Sequence, residues 1–151
     1  MIDITSCLVL AATFGSFGCR LKHNPIEHPP KGALLYGGRD SADRLIIRGW
    51  LFINADDKER IEGEWCLDRV GSPDDIGPQI GLGRLRGRLD GDQLSLNLNP
   101  GFMDFNVSLT GIFDAVSFKG TWRYTTLQGI VNEGPFAAVK EECGTGKFER
   151  I

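Results

Sequence analysis

The chain has 151 residues, 17 basic and 20 acidic, with a formal net charge of −3 and 41% apolar residues. That length and composition suit one soluble domain with a real core, and the 25% charged share excludes wholesale disorder. The mild acidity, with no basic block, excludes a chain built to track nucleic-acid phosphates. The twenty glycines are scattered without a collagen period, so they report tight turns and strand positions with no room for a side chain.

The first feature in chain order is an uncharged stretch from Ile4 to Cys19, closed by Arg20 and Lys22. It is shorter than the ~20 apolar residues a membrane-spanning helix requires. It has the length of a signal-peptide apolar core, although Met1-Ile2-Asp3 ahead of it carries an acid and no basic residue. Ser16-Phe17-Gly18-Cys19 resembles the lipobox of bacterial lipoproteins. The resemblance implies export to a bacterial envelope, a signal over residues 1–19, and Cys19 as the lipid-attachment residue. A second reading makes the stretch a β-strand, with Ile4, Ser6, Leu8 and Leu10 on one face and the chain cytoplasmic.

Residues 20–43 read as a linker, because Asn24-Pro25 and Pro29-Pro30 block regular structure and Gly37-Gly38 marks a turn. His23, Glu27 and His28 are metal-type donors, but their spacing and flexible setting form no site. No metal and no cofactor is expected.

From Arg44 to the end the dominant period is two, which half-buried antiparallel strands produce and helices do not. Leu85, Gly87 and Leu89 alternate with Arg84, Arg86 and Arg88; Phe118, Gly120, Trp122 and Tyr124 alternate with Lys119, Thr121 and Arg123. Strands are predicted near 44–54, 59–68, 80–90, 93–99, 104–113, 117–126 and 130–140, with an eighth from Ala33–Tyr36 or Lys147–Ile151. Turn chemistry sets the pairing. Gly91-Asp92 suits a type II′ hairpin, placing Leu89 opposite Leu94, Gly87 opposite Leu96 and Leu85 opposite Leu98. The next hairpin sets Phe113 opposite Phe118 and Leu109 opposite Trp122. Two others are expected to set Ile53 opposite Ile61 and Trp122 opposite Phe136.

Glycine recurs on the apolar face, as in Ile61-x-Gly63-x-Trp65, Leu109-x-Gly111-x-Phe113 and Phe118-x-Gly120-x-Trp122. A flat sheet gains nothing from such gaps, whereas strongly coiled strands need them so that neighbouring aromatics can lie across. The expected fold is all-β, an up-and-down antiparallel meander of seven or eight strands closed into a small barrel over 44–151. The pairs Gly63-x-Trp65 and Gly120-x-Trp122 in such a meander resemble lipocalin-like barrels in the broad sense, and avidin-like barrels about as well. True lipocalins carry a single Gly-x-Trp on the first strand. The likeness implies the architecture and leaves the ligand open.

The inward face is expected to hold Leu51, Ile53, Leu85, Leu96, Leu109 and Phe118, and around any cavity Trp65, Phe105, Phe113, Trp122, Tyr124 and Phe136. No titratable group converges there, and no nucleotide, zinc or serine-hydrolase motif occurs, so no catalytic residue is assigned and no enzyme is expected. Two functions follow. A hollow barrel binds an apolar small molecule or lipid; a filled one is a scaffold that contacts another envelope protein. Trp50 and Phe52 point outward, either as an exposed patch or beneath a terminal segment. Arg84, Arg86 and Arg88 form an outer stripe that could meet a phosphate or carboxylate, but is expected to face acids on the adjacent strand or simply to solvate the outer face. The loop from Val70 to Ile80 is the longest connection. Cys66 and Cys143 share the outward parity and invite a disulfide in an exported chain. No nucleic acid is an expected partner, and membrane contact is expected only through a lipid at Cys19.

Overall fold

The computed structural model describes residues 24–57 and 59–141. Eight strands run in order: β1 (Leu34–Arg39), β2 (Leu45–Asn54), β3 (Ile61–Arg69), β4 (Gly81–Asp90), β5 (Gln93–Asn97), β6 (Phe105–Phe113), β7 (Ser117–Thr126) and β8 (Gly129–Lys140). Each pairs with its sequence neighbours, and β8 returns to β1 to close the barrel. All pairings are antiparallel, and because β8 closes onto β1 the described sheet has no free edge to recruit another chain. The closed meander is compatible with a lipocalin-like small barrel.

The eighth strand is the one that begins near Ala33. It lies within the stretch expected as a linker, so the barrel starts at Leu34 and not at residue 44. Gly37 and Gly38, expected as a turn, are strand residues opposite Arg48 and Ile47. Two glycines in succession are tolerated here because the neighbouring strands supply the ladder on both sides.

The hairpin registers at Leu89–Leu94, Gly87–Leu96, Phe113–Phe118 and Leu109–Trp122 are those the turns dictate. The expected Leu85–Leu98 pair lies beyond β5, where Leu98 N–H instead donates to the Val107 carbonyl. Two hairpins differ by two residues each. Ile53 faces Gly63 in place of Ile61, because Asn54 and Asp57 side chains cap a wider loop. Trp122 faces Gly134 in place of Phe136, because a tight turn over Leu127–Gln128 is followed by an irregularity at Tyr124/Thr125. Both slips are even, so every side chain keeps its face.

The glycines on the inner face work in two ways. At Gly63, Gly87, Gly111 and Gly120 an added Cβ would run into a carbonyl oxygen of the adjacent strand, so these positions let strongly coiled strands approach. Gly111 faces Gly120 directly across β6 and β7. At Gly83 the space is taken by an indole, and at Gly134 by the Arg39 carbonyl oxygen with the Trp122 indole beside it. Trp65 on β3 lies over Gly83 on β4 and donates from Nε1 to the Leu98 carbonyl just past β5, at 2.9 Å. Trp122 on β7 passes Gly134 on β8 and donates to the Arg39 carbonyl at the end of β1, at 2.8 Å. The two tryptophans thus make equivalent bridges on opposite halves of the barrel. Each ties three strands together and leaves its only polar atom satisfied.

Gly120→Ala is expected to lower unfolding free energy by about 3 kcal/mol, since backbone cannot yield to the methyl as a side chain would. Urea unfolding should show the midpoint falling at unchanged m-value.

Candidate functional site

Because the strands form a simple meander, the connections alternate between two ends. The β1–β2, β3–β4, β5–β6 and β7–β8 connections share one end; the other three share the opposite end with the chain's entry and exit. Among the described residues, a site lies inside the barrel, at one of these ends, or on the outer wall.

The interior is filled. Trp122, Phe118, Leu51 and Leu109 have no exposed surface, and Trp65, Leu85, Leu96 and Phe136 are buried beside them. Phe118 packs edge-on against Phe136 at 4.7 Å and against Phe113 at 6.2 Å, while Tyr36 stacks on Phe136 at 5.5 Å. Of the residues expected to line a cavity, Trp65, Trp122 and Phe136 are in this packed core. Phe113, Tyr124 and Ile53 are half-buried against it. Phe105 departs from the expectation: it has the inward parity but sits at the rim, 37% exposed and stacked on Phe102. Concavities of about 240 and 110 Å³ lie outside the core. The larger is rimmed by Glu59, Arg60, Glu62 and Arg86, the smaller by Asp40, Arg44, Ser72 and Asp74.

The Val70–Ile80 loop explains how the barrel is sealed at one end. Ile76 is inserted into the core, and Gly77, at φ 71°, presses its bare Cα against the Tyr124 ring. Asn99 fastens the loop from the β5–β6 connection: its Nδ2 donates to the Pro78 carbonyl at 2.7 Å, while its Oδ1 accepts from Val107 N–H. Asn132 on β8 donates to the Asp75 carbonyl at 3.1 Å. The longest loop is therefore a stopper, held from two sides.

The titratable groups serve turns and the outer wall. Asp40 accepts from Ala42 N–H, Arg44 N–H and the Arg44 guanidinium, and these bonds hold its carboxyl below the usual carboxylate range. Asp114 is held low in the same way by Val116 and Ser117 N–H groups. Two members of the arginine stripe face acids: Arg84 and Arg86 lie opposite Glu64 and Glu62, with Arg86 Nε 3.7 Å from Glu62, whereas Arg88 lies opposite Ser95. Tyr36 is the exception inside the core. Its hydroxyl is buried without a hydrogen-bond partner among the described residues, and burial pushes its pKa far above the ordinary value.

On the outer wall, Trp50 and Phe52 do not form an exposed patch. Residues 24–33 run over them: Trp50 is 4% exposed, its Nε1 donates to the Pro25 carbonyl at 2.8 Å, and Ile26 packs on the cluster of Ala33, Trp50 and Cys66. Burial, with the Asp68 charge added, raises the Cys66 thiol pKa and lowers its reactivity. Cys143, its expected disulfide partner, lies outside the described residues, as do Cys19 and His23.

Sequence reasoning missed the surface that is apolar and exposed. At the stoppered end, the β5–β6 connection presents Phe102 and Met103, the latter 95% exposed. The β7–β8 turn presents Leu127, with Ile130 and Val131 just after it. Phe105 pairs with Thr126, which places these two groups side by side. Ile80 and Leu82 add to the same end. The signal was legible as charge rather than as periodicity: residues 93–113 carry only Asp104, and residues 124–132 carry no charge at all. Comparison with protein families, curated proteins and solved structures finds no match to this chain.

Tyr36 yields a pH prediction. An unfolded tyrosine loses its proton near pH 10, whereas the buried one keeps it, so the unfolded state binds fewer protons and stability is lost as pH rises past about 10. Tyr36→Phe should leave stability at pH 7 unchanged or higher, because it removes an unsatisfied hydroxyl. Denaturant titrations at pH 7 and 10.5 should show a shallower alkaline decline in the variant.

Proposed function

We propose that the protein is a non-catalytic interaction scaffold whose stoppered, apolar end docks onto another protein. The observation that carries this reading is the side-by-side exposure of Phe102, Met103, Phe105 and Leu127 on adjacent connections at one end. Contiguous apolar surface of this kind is costly to leave in water and marks interfaces. Asp40, Asp43, Asp74, Asp75 and Asp104 on the connections at the same end favour a protein partner over an anionic lipid surface. The filled core supports contact from outside over uptake within.

A second reading, an apolar small molecule held inside, draws support from the unpartnered Tyr36 hydroxyl, a ready donor for a polar head group. Room for it must come from withdrawal of Ile76 and its loop. As part of the same proposal the chain is exported to a bacterial envelope and lipidated at Cys19, which places the scaffold among envelope proteins.

A photo-crosslinker at Met103 or Leu127, introduced in the protein's own host, is expected to give one defined conjugate with a second protein, and at Lys119 none. Met103→Asp with Leu127→Asp should abolish the conjugate formed from Phe102 while changing stability by no more than about 0.5 kcal/mol. Equal labelling from all positions would count against the docking end.

Native and denatured intact masses of the chain purified from that host test the rest. A chain beginning at Cys19 with added acyl mass is expected; an unprocessed Met1 form overturns the lipidation. Extra mass that leaves on denaturation would favour the interior ligand.

A further inference from the structure

We infer that the outer wall at Trp50 is a docking groove for residues 24–30, and that it takes this segment from a second copy of the chain as well as from its own. The segment is pre-shaped. Asn24 closes a turn on itself, its carbonyl accepting from Glu27 N–H at 3.1 Å and its side chain from Ile26 N–H at 3.2 Å, with Pro25 fixing φ inside the turn. The turn offers two features to the wall: the Pro25 carbonyl, which takes the Trp50 indole N–H, and the Ile26 side chain, which lies on Trp50, Cys66 and Ala33. Because the turn is built from its own residues, it carries the same shape into another molecule at little entropic cost.

One tight bend joins the segment to β1. Ala33 N–H donates to the Pro30 carbonyl, and Gly32 sits at φ 87° with open space around it. A short hinge of this kind is where element exchange between identical chains occurs when the bend cannot close. The occupant is specified by the wall it leaves behind: removal of the segment uncovers Trp50, Phe52 and Cys66, and a second copy presents a segment of matching chemistry. With the bend intact, the tether supplies an effective concentration in the millimolar range, so the self-docked monomer prevails in dilute solution. Exchange uses a different wall from the apolar end and is independent of the function proposed above.

The test breaks the bend. Gly32→Pro is incompatible with positive φ, so the full-length variant should dimerise, with its dissociation constant at least roughly tenfold below that of the parent, read by sedimentation equilibrium. Adding Ile26→Asp to Gly32→Pro should return it to monomer, and mixing this double variant with Gly32→Pro, Trp50→Phe should restore association through the one intact groove. Far-ultraviolet circular dichroism and urea unfolding check that each variant retains the barrel. A Gly32→Pro chain that stays monomeric overturns exchange, as does a dimer that persists with Ile26→Asp. A Gly32→Pro monomer that also fails to bind an added peptide of residues 24–32 overturns the groove itself.

Discussion

The structure depends on a tryptophan lying across a glycine. A closed barrel of eight short, strongly coiled strands has little interior width, and large side chains fit only where a neighbouring strand yields its side chain. Trp65 over Gly83 and Trp122 past Gly134 solve this twice. In each case the indole reaches beyond the next strand to a backbone carbonyl on the one after, at Leu98 and at Arg39. The ring fills volume while the N–H ties the ladder together at a point where a strand ends. Much of the rest follows: with two indoles, Phe118 and Phe136 inside, the aliphatic side chains complete a packed core.

A filled barrel moves function outward. The buried space is occupied by side chains, one end is closed by Ile76 and its loop, and the turn carboxylates of Asp40, Asp57, Asp75 and Asp114 are engaged in capping backbone N–H groups. The distribution of exposed apolar surface is then the most informative feature. It is concentrated at one end, on connections that carry almost no charge, whereas the wall formed by β3 and β4 is lined with opposed arginines and glutamates. The covering of Trp50 adds a third kind of surface, apolar but already occupied by the chain's own N-terminal segment. Neighbouring regions of one small barrel thus differ in what they can contact.

Residues at which local rules fail mark where tertiary demands were stronger. Tyr36 leaves a hydroxyl unsatisfied in the core because its ring is needed against Phe136. Gln79 is fully buried in the stopper loop, its Nε2 tied to the Ile76 carbonyl at 2.6 Å. Both lie where the sequence pattern alone predicts solvent or an ordinary core position. Phe105 shows the converse: its parity points inward, yet it stands at the rim because its strand extends past the filled core.

The sequence by itself determined the strand periodicity, the face of each side chain, the hairpin registers around Gly91-Asp92 and Asp114–Ser117, and the need for a coiled, closed sheet. These are local properties: alternation fixes faces, and turn chemistry fixes register where the turn residues demand one geometry. It left open where the wider loop after Asn54 ends and that the ladder shifts at Tyr124/Thr125, so the Ile53 and Trp122 registers each moved by two. It also left open which terminal segment supplies the last strand, since closure is decided by the meeting of β1 with β8, far apart in the chain. Only the tertiary structure decided that the core is full, that the longest loop plugs an end, that residues 24–33 cover Trp50, and that the exposed apolar side chains gather on neighbouring connections. Each of these is a sum over volumes and distances between residues remote in sequence, and no periodicity encodes such a sum.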